Sequence, residues 1–428
     1  MTVSHAQAKP FTGARLWVPL FLIVSLFFMW GVANNLNDIL ITQFKKAFVL
    51  SDLQSGLVQS AFYFGYFVFA IPAALAMKCF GYRAAIVFGL LLYAAGAALF
   101  YPAAQAHEYA YFLAALFIIA SGLSFLETSA NPLIVAMGDP DTAERRLNFA
   151  QSFNSLGTIS GVLIGREFIL SGVEHSSEEL AAMSDVQQTA FYTSEVQAVA
   201  GPYLAIAAVV LFWALCVALV KFPALARSPA DEPKGFCLAD FKALLGRGHY
   251  CFGVTAQFFY VGAQVCIWSF MIRYGQEVMP GTGEKTLATY LTLSLVAFMV
   301  GRFFATWLMG YIKPARLMAW YALLNIALCA FAMLAANHAG LVALAATSFF
   351  MSLMFPTIFA LSIKGLGAEA KAGSSLLIMA IIGGAILTAL MGLISDLTSM
   401  HTAVIVPLLC FAVVWLFARQ CQRGAVSV

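Results

Sequence analysis

The sequence predicts an all-α membrane protein whose twelve transmembrane helices form two six-helix halves. The chain of 428 residues is 62% hydrophobic and only 10% charged, whereas soluble domains carry about 25% charged residues. Its apolar runs reach about 20 residues, the length that crosses a bilayer as a helix. These runs are too long for barrel strands and lack a period of two. One polar stretch divides the runs into two sets of six.

Each predicted span is a mostly apolar run, and the spans are numbered in chain order. The N-terminal half, residues 1–222, contains spans 1 to 6 at 17–42, 54–77, 82–104, 108–137, 146–171 and 200–222. A cytoplasmic linker is predicted at 223–248. The C-terminal half, residues 249–428, contains spans 7 to 12 at 249–274, 287–311, 315–336, 340–364, 372–394 and 402–418.

The basic residues predict the orientation of these spans in the membrane. If the N-terminus lies inside, the inner segments carry 17 of the 23 Lys and Arg residues and the outer segments carry four. The long outer loop 172–199 contains five acids and no Lys or Arg. Basic residues concentrate on the cytoplasmic side of membrane proteins. We therefore expect a multi-pass protein of the cell inner membrane with both termini cytoplasmic.

Several classes of protein are disfavoured by the sequence. The net charge is only +3 and no basic run is interleaved with aromatics, so nucleic acid is not an expected partner. The eight cysteines form no CxxC pair and no zinc spacing, so we expect free thiols, no metal site and no cofactor. No GxSxG, HExxH or Walker A sequence is present, and we do not expect an enzyme. The start of the chain predicts a first span and no cleavable signal peptide.

Span 1 contains an unexpected polar stretch, ANNLNDIL at 33–40. Asn34, Asn35 and Asp38 share one face of a helix, and Asn37 is expected to bridge to another helix. A carboxylate at the bilayer centre costs roughly 2.5–3.5 kcal/mol, so intramembrane acids mark ion or substrate pathways. Asp38 is therefore a candidate for proton coupling. The alternatives are an interfacial acid at Asp38 and amides that only join helices.

Span 4 contains a second intramembrane acid, Glu127, within SGLSFLETSANPLIVAMG at 121–138. Asn131 follows one turn later, and Pro132 removes a backbone donor and bends the helix. Glu127 is a candidate for both proton coupling and substrate binding, and Asn131 for substrate binding. The alternative for Glu127 is a buried ion pair with Arg166 or Arg302.

Polar and aromatic side chains in spans 5 and 7 predict a sugar site. Gln151 and Asn154 belong to a polar stripe of span 5, and amides both donate and accept hydrogen bonds, as sugar hydroxyls do. In span 7, Gln264 and Trp268 lie one turn apart, the arrangement of an amide beside an aromatic platform. The alternative for the span 7 aromatics is interfacial anchoring. The glycine repeat at 157, 161 and 165 is expected to pack against another helix.

At these residues the chain resembles the L-fucose:proton symporter group of the major facilitator superfamily. The resemblance rests on ANNLNDIL, QSAFYFGYF (59–67), FLETSANP (125–132), QSFNSLG (151–157), YVGAQVCIWS (260–269) and FPTIF (355–359). It implies the major facilitator fold, with proton coupling at Asp38 and Glu127. It also implies that Gln151 and Asn154 face the sugar cavity and that Glu127 is linked to the sugar as well as to the proton. Asn35 matches a polar residue of span 1 in the family and is a further candidate for substrate binding.

The resemblance has one departure that concerns the sugar. Fucose carriers of the group have a tyrosine at the position of Phe355, preceded by a glutamine where this chain has Met354. Related carriers take glucose, galactose or N-acetylglucosamine, so these sugars are the alternatives to L-fucose. Sodium is the alternative to the proton as the coupling ion.

We therefore predict a monomeric secondary active transporter that couples uptake of a monosaccharide, foremost L-fucose, to proton entry by alternating access. Its expected partners are the sugar, the proton and membrane lipids. Two rival classes are a sensor built on a transporter fold and a membrane enzyme acting on lipid-linked sugars. The first needs a signalling domain, and the second needs a loop with clustered acids and bases. Neither feature is found in the sequence.

Overall fold

The computed structural model describes residues 17–48, 52–169, 179, 182–220 and 238–424, and all the regular structure within them is helical. The predicted fold class, an all-α membrane protein with twelve spans, is confirmed. The helices of the N-terminal half begin and end close to the predicted bounds: Trp17–Ala47 is span 1, Asp52–Ala98 with Phe100–Ala106 is spans 2 and 3, Tyr109–Ala136 is span 4, Ala143–Phe168 is span 5 and Ala200–Leu219 is span 6.

Three of the six spans in the C-terminal half are each divided into two helices. The uninterrupted spans are Gly248–Val278 (span 7), Glu284–Leu308 (span 8) and Pro314–Leu334 (span 9). The interrupted spans are His338–Met351 with Met354–Ile363 (span 10), Ala370–Met379 with Gly383–Leu397 (span 11) and Met400–Ala403 with Ile405–Gly424 (span 12).

Ten helical stretches among the described residues are long and apolar enough to cross a membrane. Spans 2 and 3 count there as one stretch, Leu57–Ala106. Span 5 is not among the ten, because its polar stripe makes the helix less apolar than its neighbours. The same polar residues that lower its hydropathy belong to the candidate site.

Gly81 separates spans 2 and 3 within the long helix Asp52–Ala98. Its backbone has φ 82° and ψ 169°, outside the helical region. Positive φ strains a side chain but not glycine. A Cβ at this position would have no neighbour within 4 Å. The turn between the two spans therefore needs glycine for its backbone conformation and not for packing.

Two segments that the sequence predicted as loop or linker contain helices. Within the predicted outer loop 172–199, residues Asp185–Gln197 are helical. Ser184 and Gln187 form a reciprocal capping box at its start, in which the side chain of each residue accepts a hydrogen bond from the backbone N–H of the other residue. Within the predicted linker, Leu238–Leu245 forms a short helix. Residues 221–237 lie outside the described residues.

Helices within each half pack closely. In the N-terminal half, span 5 packs along span 1, and span 4 packs against spans 2 and 3. A Cβ added at Gly157 or Gly161 would overlap the backbone of span 1 at Phe28 or Val32. The prediction that these two glycines pack against another helix is confirmed. In the C-terminal half, span 7 packs against spans 11 and 12, and span 9 against spans 10 and 12.

Polar contacts join the two halves on the linker side, defined as the membrane side on which span 6 ends at Leu219 and span 7 begins at Gly248. Glu144 Oε1 lies 3.5 Å from Lys364 Nζ in an ion pair between spans 5 and 10. Two hydrogen bonds accompany it, from Arg145 Nε to the Thr306 carbonyl oxygen (3.3 Å) and from Asn148 Nδ2 to Thr357 Oγ1 (3.0 Å).

Candidate functional site

A cavity of about 450 Å³ lies between the two halves at midspan. Its size falls in the usual range for small-molecule sites. The N-terminal half supplies mostly polar lining: Asn34, Asn35, Asn37, Gln59, Phe62, Tyr63, Tyr66, Glu127, Gln151, Asn154 and Thr158. The C-terminal half supplies mostly apolar and aromatic lining: Val261, Gln264, Val265, Trp268, Ser269, Ile272, Leu291, Leu295, Phe298, Arg302, Phe355 and Ile381.

Span 1 contributes three asparagines to the cavity. Asn34 and Asn35 face it from one side of the helix, as the sequence predicted. Asn37 Nδ2 donates to Gln59 Oε1 in span 2 at 3.1 Å, which confirms the predicted bridge between helices. Asp38 lies on the same helix, but its side chain lies outside the described residues. Its role in proton coupling stays a prediction.

Glu127 places a carboxyl group in the wall of the cavity. Its side chain is 6% exposed, and no base of the described residues lies within ion-pair distance. The alternative of a buried ion pair with Arg302 is therefore wrong for this conformation, while the side chain of Arg166 lies outside the described residues. The hydroxyl of Tyr66 in span 2 faces the Glu127 carboxyl group. Glu127 is therefore a buried acid in the lining of the cavity.

Asn131 lies behind the cavity and not in its wall. Its Oδ1 accepts a hydrogen bond from Gln151 Nε2 at 3.2 Å. Because that bond fixes the Gln151 amide, the free Oε1 of Gln151 is the atom available to the cavity. Asn131 is not among the lining residues in this conformation, because the helix turns its side chain toward span 5, and its role in substrate binding stays a prediction. Asn131 instead orients a lining residue.

The other predicted amides reach the cavity. Asn154 donates from Nδ2 to the Phe27 carbonyl oxygen in span 1 at 3.2 Å, which leaves its Oδ1 for the cavity. The amides of Asn35 and Gln264 make no hydrogen bond with the described residues. These groups therefore offer acceptors and donors that no protein group occupies. Sugar hydroxyls, which also donate and accept, match such a set.

Trp268 forms an aromatic wall opposite the amides. Its Nε1 donates to Ser348 Oγ at 3.0 Å, and its ring packs edge-to-face on Phe298 with centroids 5.0 Å apart. A ring fixed at both its edge and its N–H is a rigid surface. The geometry favours the predicted sugar platform over the alternative of an interfacial anchor.

Arg302 crosses between the halves at the cavity. Its Nε donates to the Ser352 carbonyl oxygen at 2.6 Å, and its Nη1 donates to the Gln151 carbonyl oxygen across the interface at 3.0 Å. Its guanidinium group lies 4.4 Å from the centre of the Phe298 ring. The side chain is 3% exposed and has no carboxylate partner among the described residues. A buried cation and the buried Glu127 therefore face one cavity without pairing.

Span 2 also contributes to the cavity, which the sequence did not predict. Gln59, Phe62, Tyr63 and Tyr66 all line the cavity. Their spacing of three, four and seven residues places them on one face of a helix. That spacing was a usable signal, but a polar and aromatic face of this kind is also typical of helix packing.

Comparison with known proteins identifies the class. The model of the Major Facilitator Superfamily matches residues 20–380. The proton:xylose symporter XylE, 13% identical over 96% of each chain, has the same fold with a TM-score of 0.68. Twelve helices in two halves around a midspan polar cavity thus define a membrane transporter of the major facilitator superfamily.

Proteins of higher sequence identity indicate the family within the superfamily. The L-fucose-proton symporter of Escherichia coli K12 is 49% identical over 96% of this chain and 94% of its own. The L-fucose-proton symporter of Haemophilus influenzae is 37% identical over 95% and 97%. The crystal structure of FucP in the outward conformation has a TM-score of 0.88 and 48% identity, covering 95% of this chain and 99% of that one. Within the superfamily, this chain belongs to the L-fucose-proton symporter family.

A third relative is named for other sugars. The glucose/galactose transporter of Brucella abortus is 37% identical over 90% of each chain.

Proposed function

We propose that this protein is a secondary active transporter that carries L-fucose together with a proton by alternating access. One observation carries the proposal: a buried acid with no ion-pair partner among the described residues, and several amides with a donor or acceptor left for a ligand, line a single cavity between the halves, in a chain 49% identical to an L-fucose-proton symporter. Residues 1–222 and 249–428 would move as two bodies joined by the linker 223–248.

The cavity fits the chemistry of a 6-deoxyhexose. The amides of Asn35, Gln151, Asn154 and Gln264 supply hydrogen bonds to ring hydroxyls, and Trp268 supplies an apolar face. L-Fucose has a methyl group where glucose and galactose have a hydroxymethyl group. The apolar lining of the C-terminal half offers that methyl group a site without an unpaired polar atom.

Glu127 supplies the link between proton and sugar in this proposal. A neutral carboxyl group is much less costly to bury than a charged one. Protonation of Glu127 would therefore permit the cavity to close around the sugar, whereas the charged form would resist closure. Asp38, the span 1 acid, is proposed as the second proton-coupling group. Its variant Asp38→Asn should abolish uphill accumulation and leave sugar exchange partly intact.

The conformation described here is proposed to be open toward the side opposite the linker. The ion pair between Glu144 and Lys364 holds the halves together on the linker side. The FucP crystal structure with a TM-score of 0.88 is in the outward conformation. We propose that the linker side is cytoplasmic, as the distribution of Lys and Arg indicates, and that the protein works as a monomer in the lipids of the cell inner membrane.

A pH electrode in a lightly buffered suspension of de-energised cells tests the proposed function. L-Fucose, D-glucose, D-galactose and N-acetylglucosamine are added in turn to cells that express the protein and to cells that do not. A transient alkalinisation of the medium with L-fucose is the expected result. Alkalinisation with another sugar and not with L-fucose would show that L-fucose is not the substrate. Sodium-dependent uptake at fixed pH would show that sodium, and not the proton, is the coupling ion.

A further inference from the structure

Three buried amides lie next to the cavity on its linker side and leave polar atoms without a hydrogen-bond partner. These atoms are Nδ2 of Asn131, Oδ1 of Asn148, and both Oε1 and Nε2 of Gln257. All three side chains are 0% exposed. A buried polar group without a partner destabilises a conformation, because it has lost its hydrogen bonds to water and gained none. These three residues are termed the linker-side amides: Asn131, Asn148 and Gln257. Their unpaired atoms destabilise this conformation, which indicates that they have a hydrogen-bond partner in another conformation.

The linker-side amides continue the lining of the cavity along three helices. One helical turn displaces a side chain by about 5.4 Å along the axis and keeps it on the same face. Each amide lies three or four residues from a cavity-lining residue of its own helix, in the direction of the linker side: Asn131 from Glu127, Asn148 from Gln151, and Gln257 from Val261.

Hydrogen bonds already orient two of these amides. Asn131 Oδ1 accepts from Gln151, which leaves the Nδ2 donor free. Asn148 Nδ2 donates to the Glu144 carbonyl oxygen at 2.9 Å and to Thr357 Oγ1 at 3.0 Å, which leaves the Oδ1 acceptor free. Gln257 offers a donor and an acceptor. The set of free atoms matches a molecule that carries several hydroxyl groups.

Phe355 lies in span 10 at the cavity, and the same span holds one of the linker-side amides, because Thr357 Oγ1 accepts a hydrogen bond from Asn148 Nδ2. The Phe355 ring lines the cavity and lies 6.4 Å from the ring of Tyr260 in span 7. The helix Met354–Ile363 packs against both span 5 and span 7. In this conformation the amides are fully buried. A separation of the halves on the linker side would move span 5 away from span 7, and it would give the amides access to the cavity.

We propose that the linker-side amides form a second sugar-binding position, which holds the monosaccharide when the carrier is open on the linker side and from which the sugar leaves. The proposal rests on the proposed function, because it assigns these amides to the same transported sugar. It predicts that each side of the membrane presents the sugar with a different set of hydrogen bonds.

The test compares transport kinetics from the two sides. Gln257→Met replaces both unpartnered atoms with an apolar side chain of similar length and leaves the cavity lining unchanged. In right-side-out and inside-out vesicles, the KM for L-fucose presented on the linker side should rise roughly three- to tenfold, as expected for one lost hydrogen bond between neutral groups. The KM for L-fucose presented on the opposite side should stay within about twofold.

Monodeoxy analogues of L-fucose distinguish two causes of a raised KM: loss of a hydrogen bond between Gln257 and the sugar, and a shift of the equilibrium between the two open conformations. If Gln257 bonds one hydroxyl group, the analogue without that hydroxyl should have the same linker-side KM in the wild type and in Gln257→Met. An equal rise for every analogue would overturn the proposal, because it would show a conformational effect only. Unchanged KM values on both sides, or equal rises on both sides for L-fucose, would also overturn it.

Two further proteins complete the design. Asn325→Leu is the matched control, because Asn325 is also a fully buried amide but lies in span 9, where its amide pairs with backbone atoms of Thr347 and Met351. It should reduce thermal stability without a difference between the two sides. If Gln257→Met does not fold, Gln257→Asn withdraws the amide by one methylene and should give a smaller rise of the same asymmetry. Wild-type vesicles that transport no L-fucose would refute the proposed function itself. Failure of the proposed function is therefore distinguishable from failure of the second sugar-binding position.

Discussion

Substitution of Glu127 by glutamine should separate sugar movement from proton movement. The exchange keeps the size of the side chain and its ability to hydrogen-bond, but removes the titratable proton. Because Glu127 has no ion-pair partner among the described residues, the exchange leaves no buried base uncompensated there. Glu127→Gln should therefore fold, bind L-fucose and exchange it across the membrane.

The size of the expected effect follows from the driving force. One proton crossing a potential of 100 mV supplies about 2.3 kcal/mol. Since about 1.4 kcal/mol corresponds to a tenfold ratio, the wild type can accumulate L-fucose roughly fiftyfold at that potential. A carrier without coupling equilibrates the sugar to a ratio of about one. The accumulated ratio should thus fall about fiftyfold, while the rate of exchange changes far less.

The assay loads energised vesicles with labelled L-fucose and then measures exchange in de-energised vesicles. Glu167→Gln is the matched control, because Glu167 is also an acid of a membrane helix but is exposed at the end of span 5. The control should accumulate L-fucose as the wild type does. Fiftyfold accumulation by Glu127→Gln, or loss of exchange together with accumulation in a folded protein, would contradict the role of Glu127 as a proton-coupling group.

Three further substitutions test other parts of the structure. Trp268→Phe removes the Nε1 hydrogen bond to Ser348 and part of the aromatic wall, and should weaken L-fucose binding by about three- to tenfold in an equilibrium binding assay. Glu144→Gln removes the linker-side ion pair, and should weaken binding from the opposite side by at most about fivefold, since the Lys364 side chain is 54% exposed and such pairs contribute about 0–1 kcal/mol. Gly157→Val places a side chain against the backbone of span 1 and should lower the melting temperature of the solubilised protein, whereas Gly201→Ala, with no neighbour within 4 Å, should not.

The helices were predictable because the bilayer demands long apolar runs. The predicted spans correspond to observed helices in both halves, even for span 5, where a polar stripe lowers the hydropathy. The helix Asp185–Gln197 was not predicted, because its short length and polar composition give no membrane signal. Its capping box of Ser184 and Gln187 was the local signal available.

The site was predictable where a polar residue stands out against an apolar span. Glu127 and Gln151 were found in this way, and both line the cavity. Asn131 was equally polar, but its side chain turns toward Gln151, and the sequence does not fix which of two adjacent helix faces meets the cavity. Tyr66 was missed as a lining residue, because aromatic residues are plentiful in this chain and only the fold brings it to the cavity. Phe355 also lines the cavity, but only the resemblance had connected its position with the sugar.

Proton movement driven by L-fucose is the most direct test of the account. Purified protein is reconstituted into vesicles that contain a pH-sensitive dye, with no initial pH gradient and with the membrane potential clamped at zero. An inward gradient of L-fucose should acidify the lumen, and an equal gradient of D-glucose should not. Uptake of labelled L-fucose without any acidification would contradict the account, because the sugar would then move without the proton.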